Sequence, residues 1–232
     1  MEGNVAKQYF IAVMLLFPVL LVPTSVLAEE ASKISVANFS EGDLSGWEEK
    51  SFKGNSQYEF VSFKTVNSNN MESSAPLGKV LRAHTQGKAS GLFKEVKINL
   101  NETPYLNWSW QVNNLYKGND ERSKEGDDYP ARIYVVVSGG IFFWNTKAVN
   151  YVWSSHQPVG SEWPNAYTGN AKMLAVRSGN NKIGQWVSEH RNIREDFNKL
   201  FGDDATEIGK RDWRDFIVHF DQRQTQSGVI HC

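Results

Sequence analysis

Residues 106–112, LNWSWQV, alternate apolar and polar side chains without a break. Successive side chains of a strand point to opposite faces. Leu106, Trp108, Trp110 and Val112 therefore share one face, and Asn107, Ser109 and Gln111 the other. Two large indoles on one side of a short strand require a second layer to bury them. Working outward, Gly91 to Leu100 alternates through Phe93, Val96, Ile98 and Leu100. Ala131 to Ser138 (ARIYVVVS) is almost continuously apolar, the pattern of a central strand covered on both faces. Further strands are expected at Ser35–Phe39, Tyr58–Val66, Lys79–His84, Ile141–Trp144, Ala148–Trp153, Lys172–Arg177 and Trp213–Phe220. Turns read at Glu41–Trp47, Gly139-Gly140 and Ser178-Gly179-Asn180. Long polar loops fill Asn113–Tyr129 and Ser154–Gly169. One helix stands apart: Asn192 caps it, Glu195 follows three residues on, and Ile193, Phe197, Leu200 and Phe201 share a face before Gly202 ends it. The expected fold is mainly β: an antiparallel β-sandwich with one late α-helix.

The start of the 232-residue chain carries a different signal. Lys7 precedes the apolar run Tyr9–Leu21, and Val26-Leu27-Ala28 places small residues before Glu29, the order of a cleavable secretory signal peptide. The run is short for a membrane span and is interrupted around Pro18 and Pro23. Residues 1–28 are thus expected to be removed, leaving no membrane span and a protein that works outside the cytoplasm. Lys+Arg total 25 and Asp+Glu 26, a balance that argues against nucleic acid as the main partner. The single cysteine, Cys232, forms no internal disulfide, so the core rests on packing. Eight Trp, eight Tyr and 13 Phe supply the material for that core.

Mechanism-bearing motifs are mostly missing. Gly87-Lys88-Ala89-Ser90-Gly91 has its Ser one place late for a nucleophile elbow. There is no H-E-x-x-H, no P-loop and no dinucleotide fingerprint. His84, His156, His190, His219 and His231 share no ligand spacing, and Cys232 sits on a terminus. The acidic run Asp120, Glu121, Glu125, Asp127 and Asp128 offers oxygen ligands to calcium, but it lacks the EF-hand order. Lys117, Arg122 and Lys124 interleave with it, so a solvated loop is the better reading and no cofactor is expected. Arg132 lies inside an apolar strand beside Asp127-Asp128 and needs a partner. A structural ion pair is the simpler account, and a ligand clamp the sharper one. Trp153, His156, Trp163, Asn165, Tyr167 and Asn170 mix rings with amides. That is the chemistry of a carbohydrate site if the rings are exposed, and of loop packing if they are not.

DDYPARIYVVVSGG (127–140), AVNYVWSS (148–155), WPNAYTGNAKMLAVRSG (163–179) and EHRNIREDFNKLFG (189–202) together resemble the bacterial secreted family called domain of unknown function 3047. The F-x-x-x-x-L-x-x-W run from Phe39 to Trp47 and TPYLNWSWQV from Thr103 to Val112 fit it as well. The resemblance spans roughly residues 35–202. It implies an exported bacterial protein, periplasmic or secreted, whose sandwich looks like jelly-roll or galactose-binding modules. It supplies no catalytic residues. Past the helix the family looks to continue with an apolar strand, an Asp/Thr-rich turn and a closing Tyr-containing strand. Ile208–Cys232 departs from that, so 203–232 is expected to be a divergent tail, with a frameshift as one account of it, and a missing last strand would leave a sheet edge open. Resequencing of the coding region decides this.

The resulting expectation is a signal peptide over 1–28, a β-sandwich domain over 29–202, and a non-catalytic role in binding a glycan or another envelope ligand. The candidate site residues are Asp128, Arg132, Asn150, Trp153, Trp163, Asn165, Tyr167 and Arg177. Two other readings stay open: a hydrolase of envelope polysaccharide using paired carboxylates such as Asp128 and Glu189, and a structural or assembly factor of the envelope. Exposure of Trp153, Trp163 or Tyr167 is the observation that separates them best.

Overall fold

The sequence pattern resolves into two facing sheets in a computed structural model, which describes residues 33–63, 78–138, 144, 146–202, 214–223 and 227–231. Chain order is a 3-10 turn at Phe39–Glu41, then β1 (Glu48–Lys53), β2 (Gln57–Phe63), β3 (Gly78–His84), β4 (Ala89–Ile98), β5 (Tyr105–Val112) and β6 (Ala131–Val137). There follow β7 (Lys147–Ser154), β8 (Glu162–Pro164), β9 (Ala171–Ser178), β10 (Val187–Asn192), α1 (Ile193–Phe201), β11 (Arg214–Arg223) and β12 (Ser227–His231). One sheet has seven strands in the order β1-β4-β11-β6-β7-β9-β8. The other has five, β10-β5-β12-β3-β2. The fold is mainly β with one helix, as the alternation predicts.

The alternating face of β5 enters the space between the sheets. Trp110 is fully buried and Trp108 nearly so. Their rings meet β7 from the facing sheet, Trp108 lying 5.4 Å from Tyr151 and Trp110 5.9 Å from Trp153. β6 is the middle strand of its sheet, and Ile133, Val135 and Val137 pack into the same core. A second cluster (Tyr129, Val152, Trp163, Met173 and Ala175) forms apart from that core. The opposite face of β6 carries Arg132, Tyr134 and Val136, of which Tyr134 and Val136 are partly covered, so the apolar run reads as nearly continuous.

Several expectations change in detail. Ser35–Phe39 is not a strand. Asn38 makes a single bridge to Asp43, and the chain turns through the 3-10 segment at Gly42, whose φ of 77° suits glycine. β1, β8, β10 and β12 are additional strands. β1 is exposed at every position, so it has no apolar period to read; only its pairing with β4 makes it a strand. β7 and β9 run parallel, the exception among otherwise antiparallel pairs of the described residues. The long connection between them, which carries β8, provides the crossover that a parallel return needs.

The helix follows its sequence signal. Asn192 Oδ1 accepts from the Glu195 amide at 3.1 Å, and Ile193 and Phe197 are buried. Past it, β11 lies between β4 and β6, and β12 between β5 and β3. The backbones of 214–223 and 227–231 thus give each sheet an interior strand. The expected signal segment 1–28, the Gly139-Gly140 turn, Ile141–Phe143, residues 203–213 and Cys232 lie outside the described residues. No helix among those described is long and apolar enough to cross a membrane.

Candidate functional site

Register brings two turns to one place. β1 and β4 pair with Lys53 opposite Ala89, so the turn after β1 sits beside the β3–β4 hairpin. Gly54 (φ 70°) lets the chain reverse after Lys53, and Gly87 (φ 64°) does so before Lys88. Thr85 Oγ1 donates to the Lys88 carbonyl at 3.0 Å and tightens the hairpin. Against these turns lie the 113–130 loop and the β8–β9 loop. The four segments border an open cleft of about 350 Å3 lined by Phe52, Lys53, Gly87, Lys88, Ala89, Lys124, Glu125, Asp128 and Tyr167.

The 113–130 loop is built, not loose. Asn119 Nδ2 donates to the carbonyls of Gly126 and Asp128, each at 3.0 Å. Asp120 Oδ1 accepts from the Arg122 amide, and Ser123 Oγ links the Asp120 carbonyl to the Gly126 amide. Gly126 is fixed by space: a Cβ there would stand 2.2 Å from the Asp120 carbonyl oxygen. Glu121 is buried and accepts from Ser154 Oγ and the Ser155 amide, while Tyr129 donates to its backbone carbonyl. Burial, and then the nearby negative charge of Asp127, push the Tyr129 hydroxyl far above the usual phenol range. Of the carboxylates that suggested calcium, Asp120, Glu121 and Asp127 are thus committed to separate structural partners.

Tyr167 is 56% exposed over the cleft. Its hydroxyl donates to the Lys124 carbonyl at 2.9 Å, and its amide donates to Asn165 Oδ1 at 3.0 Å. Lys124 Nζ stands 5.8 Å from its ring centroid. The ring is therefore held at both ends while its surface stays open to solvent, as a stacking platform requires. Phe52, 54% exposed, is a second ring on the lining.

The structure distributes the sequence candidates unevenly. Asp128 and Tyr167 line the cleft, and Asn165 positions Tyr167 from behind. Arg132 pairs with Asp127 at 3.1 Å, both side chains 2% exposed, so the simpler account of this arginine holds and its partner is Asp127. Asn150 is buried, with its amide donating to the Lys172 carbonyl. The Trp153 ring is in the main core and donates to the Gly179 carbonyl, and Trp163 belongs to the second cluster. Neither indole offers a face to a ligand. Arg177 grips Glu189, which also accepts from Trp110 Nε1 and does not reach the cleft. Asp128 and Glu189 are accordingly not a facing pair. Phe52, Lys53 and Lys88 escaped sequence reasoning, since only the turn glycines beside them carry a signal. Lys124 and Glu125 read merely as part of a charged loop.

Comparison with known proteins adds a family and a distant shape. The family model described as protein of unknown function (DUF3047) matches residues 45–211. No curated protein matches the chain. Among solved structures, the enzymatically active domain of tailspike protein 4 of bacteriophage CBA120 is similar at 8% identity and a TM-score of 0.41. That similarity covers 87% of this chain but only 20% of the tailspike chain.

Proposed function

The chain belongs to the DUF3047 family of proteins of unknown function, and we propose that it is an exported β-sandwich that binds a saccharide of the bacterial envelope without transforming it. The observation that carries this reading is Tyr167. Of the three rings that mattered, Trp153 and Trp163 are buried and Tyr167 is exposed, held rigid over a cleft lined with hydrogen-bonding groups. A fixed aromatic plane beside amino and carboxylate groups suits a sugar ring and its hydroxyls. The order of charge, apolar run and small residues over 1–28 supports export to the periplasm or beyond. Intact-mass measurement of the protein recovered from the envelope is expected to show loss of those residues.

The test is binding. Titration of the purified protein with envelope polysaccharides is expected to show saturable binding that Tyr167→Ala weakens about tenfold or more, as truncation of an aromatic anchor does. An unchanged affinity in Tyr167→Ala refutes the site.

A second reading, hydrolysis, is favoured by one observation: Glu125 and Asp128 share the cleft. Glycoside hydrolysis needs two carboxylates flanking the bond. Against it, the two come from one loop three residues apart, and Asp128 already interacts within the protein. Release of reducing ends that disappears in Asp128→Asn would establish turnover.

A further inference from the structure

We infer that the saccharide taken by this cleft is acidic, a polymer carrying carboxylate or phosphate groups that meet Lys53, Lys88 and Lys124. This rests on the cleft being the binding site and goes further by fixing the charge of what it binds. Three of the nine lining residues are lysines. Among the described residues none of the three enters a salt bridge. Lys124 faces only the Tyr167 ring, at 5.8 Å. Lys88 is laid down in advance: its stem runs over Gly54, where a Cβ would come within 3.3 Å of Lys88 Cγ. The β1–β4 register sets Lys53 next to it, opposite Ala89.

The lining also holds two carboxylates. Against Glu125 and Asp128, the latter with a further interaction within the chain, the three ammonium groups leave the lining with positive charge in excess. The chain as a whole carries a formal charge of -1, so this concentration of positive charge is local and not a reflection of composition. Like charges gathered in excess of the carboxylates beside them repel one another, and none of the three lysines forms a salt bridge that would stabilise the fold. A neutral sugar would leave the ammonium groups without partners. An acidic sugar supplies them, with its ring on Tyr167 and its anionic groups among the lysines.

The experiment is titration of the purified protein with three saccharide polymers and one control. The polymers are polygalacturonate (carboxylate), a glycerol-phosphate teichoic polymer (phosphate) and dextran (neutral), and the control is polyglutamate (charge without sugar). One acidic saccharide is expected to bind about tenfold or more tightly than dextran and polyglutamate, and whichever acidic polymer does so identifies the anionic group. Raising salt to about 1 M, where charges are screened beyond roughly 3 Å, is expected to remove most of the preference. The double variant Lys53→Gln, Lys88→Gln is expected to bring acidic and neutral polymers within about twofold, with the unfolding midpoint unchanged. Equal affinity for dextran and the acidic saccharides, or a preference that survives in the double variant, overturns the inference. If that equal binding is still lost in Tyr167→Ala, the cleft remains the site and only the charge assignment falls. Polyglutamate binding as tightly as the acidic saccharides also overturns it. If no polymer binds, the saccharide reading falls with it.

Discussion

Replacing Arg132 by Met tests whether the arginine in the central strand is structural. The guanidinium lies 3.1 Å from Asp127, with both side chains almost fully excluded from water. It also lies 5.1 Å from the Tyr129 ring and 4.7 Å from the Tyr134 ring. Methionine conserves much of the volume, so the cost is mainly electrostatic. The buried Asp127 carboxylate would lose its guanidinium partner, which costs about 3–5 kcal/mol. That is a large share of the 5–15 kcal/mol, roughly, that a domain possesses. Arg132→Lys keeps the charge but loses the planar contact with the two rings, an expected cost of about 1–2 kcal/mol. Removing both partners in Arg132→Met, Asp127→Leu leaves no orphan charge, so the double variant is expected to be more stable than the single one. The assay is urea unfolding followed by tryptophan fluorescence, with the denaturant slope compared across variants. A cost below about 1 kcal/mol for Arg132→Met, or a double variant as unstable as the sum of its singles, refutes the buried pair. Because Arg132 does not line the cleft, Arg132→Lys is expected to leave saccharide affinity unchanged. A selective loss of affinity would restore the ligand-clamp role.

Trp163→Ala empties the second apolar cluster and is expected to lower stability by about 3–5 kcal/mol in the same unfolding assay, through a cavity and not through lost stacking on a ligand. Gly126→Ala drives a methyl group into the Asp120 carbonyl and is expected to cost about 1–3 kcal/mol and to weaken saccharide binding, because the loop that carries Lys124 and Asp128 must shift. Alkaline pH is expected to destabilise the protein through its buried phenols. Burial raises Tyr151, with the neighbouring Asp196 carboxylate adding to the effect, and Tyr129 is raised for the same kind of reason. Above the ordinary phenol value of 10.0 the unfolded chain has lost these protons while the folded one keeps them. The stability is therefore present below pH 10 and declines as pH rises beyond it, by up to about 1.4 kcal/mol per pH unit for each phenol. Urea midpoints measured from pH 9 to 11 check this, and Tyr151→Phe is expected to make the decline shallower.

The elements legible in the sequence are those with a local period. LNWSWQV specified its inward face because each polar residue marks the position of its apolar neighbours. The helix was legible from its Asn192 cap, its Phe197 stripe and its Gly202 stop. β1 and β10 carry no such mark. EEKSFK is exposed throughout, and VSEHRN alternates only weakly, so pairing partners far along the chain decide both. Ser35–Phe39 failed for a related reason. Its apolar Val36 and Phe39 look like strand residues, yet Phe39 reaches the core from a 3-10 turn and packs 5.4 Å from Trp47. Tertiary packing there overrides local propensity.

The site was legible only where a polar loop holds a ring. Trp153 sits in an apolar strand flanked by Val152, a context that marks a core residue, yet its place beside the aromatic loop made it a site candidate, and the structure buries it. Trp163 looked like a loop residue because its three-residue strand is too short to show a period, and the same brevity hid its packing against Tyr129. Tyr167 lies between Asn165 and Gly169, in a turn with no apolar neighbour except Ala166, and a ring placed so has nothing local to bury it. The lysines follow a different logic. Lys53 and Lys88 are 35 residues apart and each looks like an ordinary turn cation. They become a site through one fact that no local pattern contains, the register that sets Lys53 opposite Ala89. A shift of that register by one residue would turn the β1 side chains to the opposite face and separate Lys53 from Lys88. The cleft and its charge are therefore properties of strand pairing, and the proposed binding depends on β1, the edge strand whose sequence reveals least about its structure.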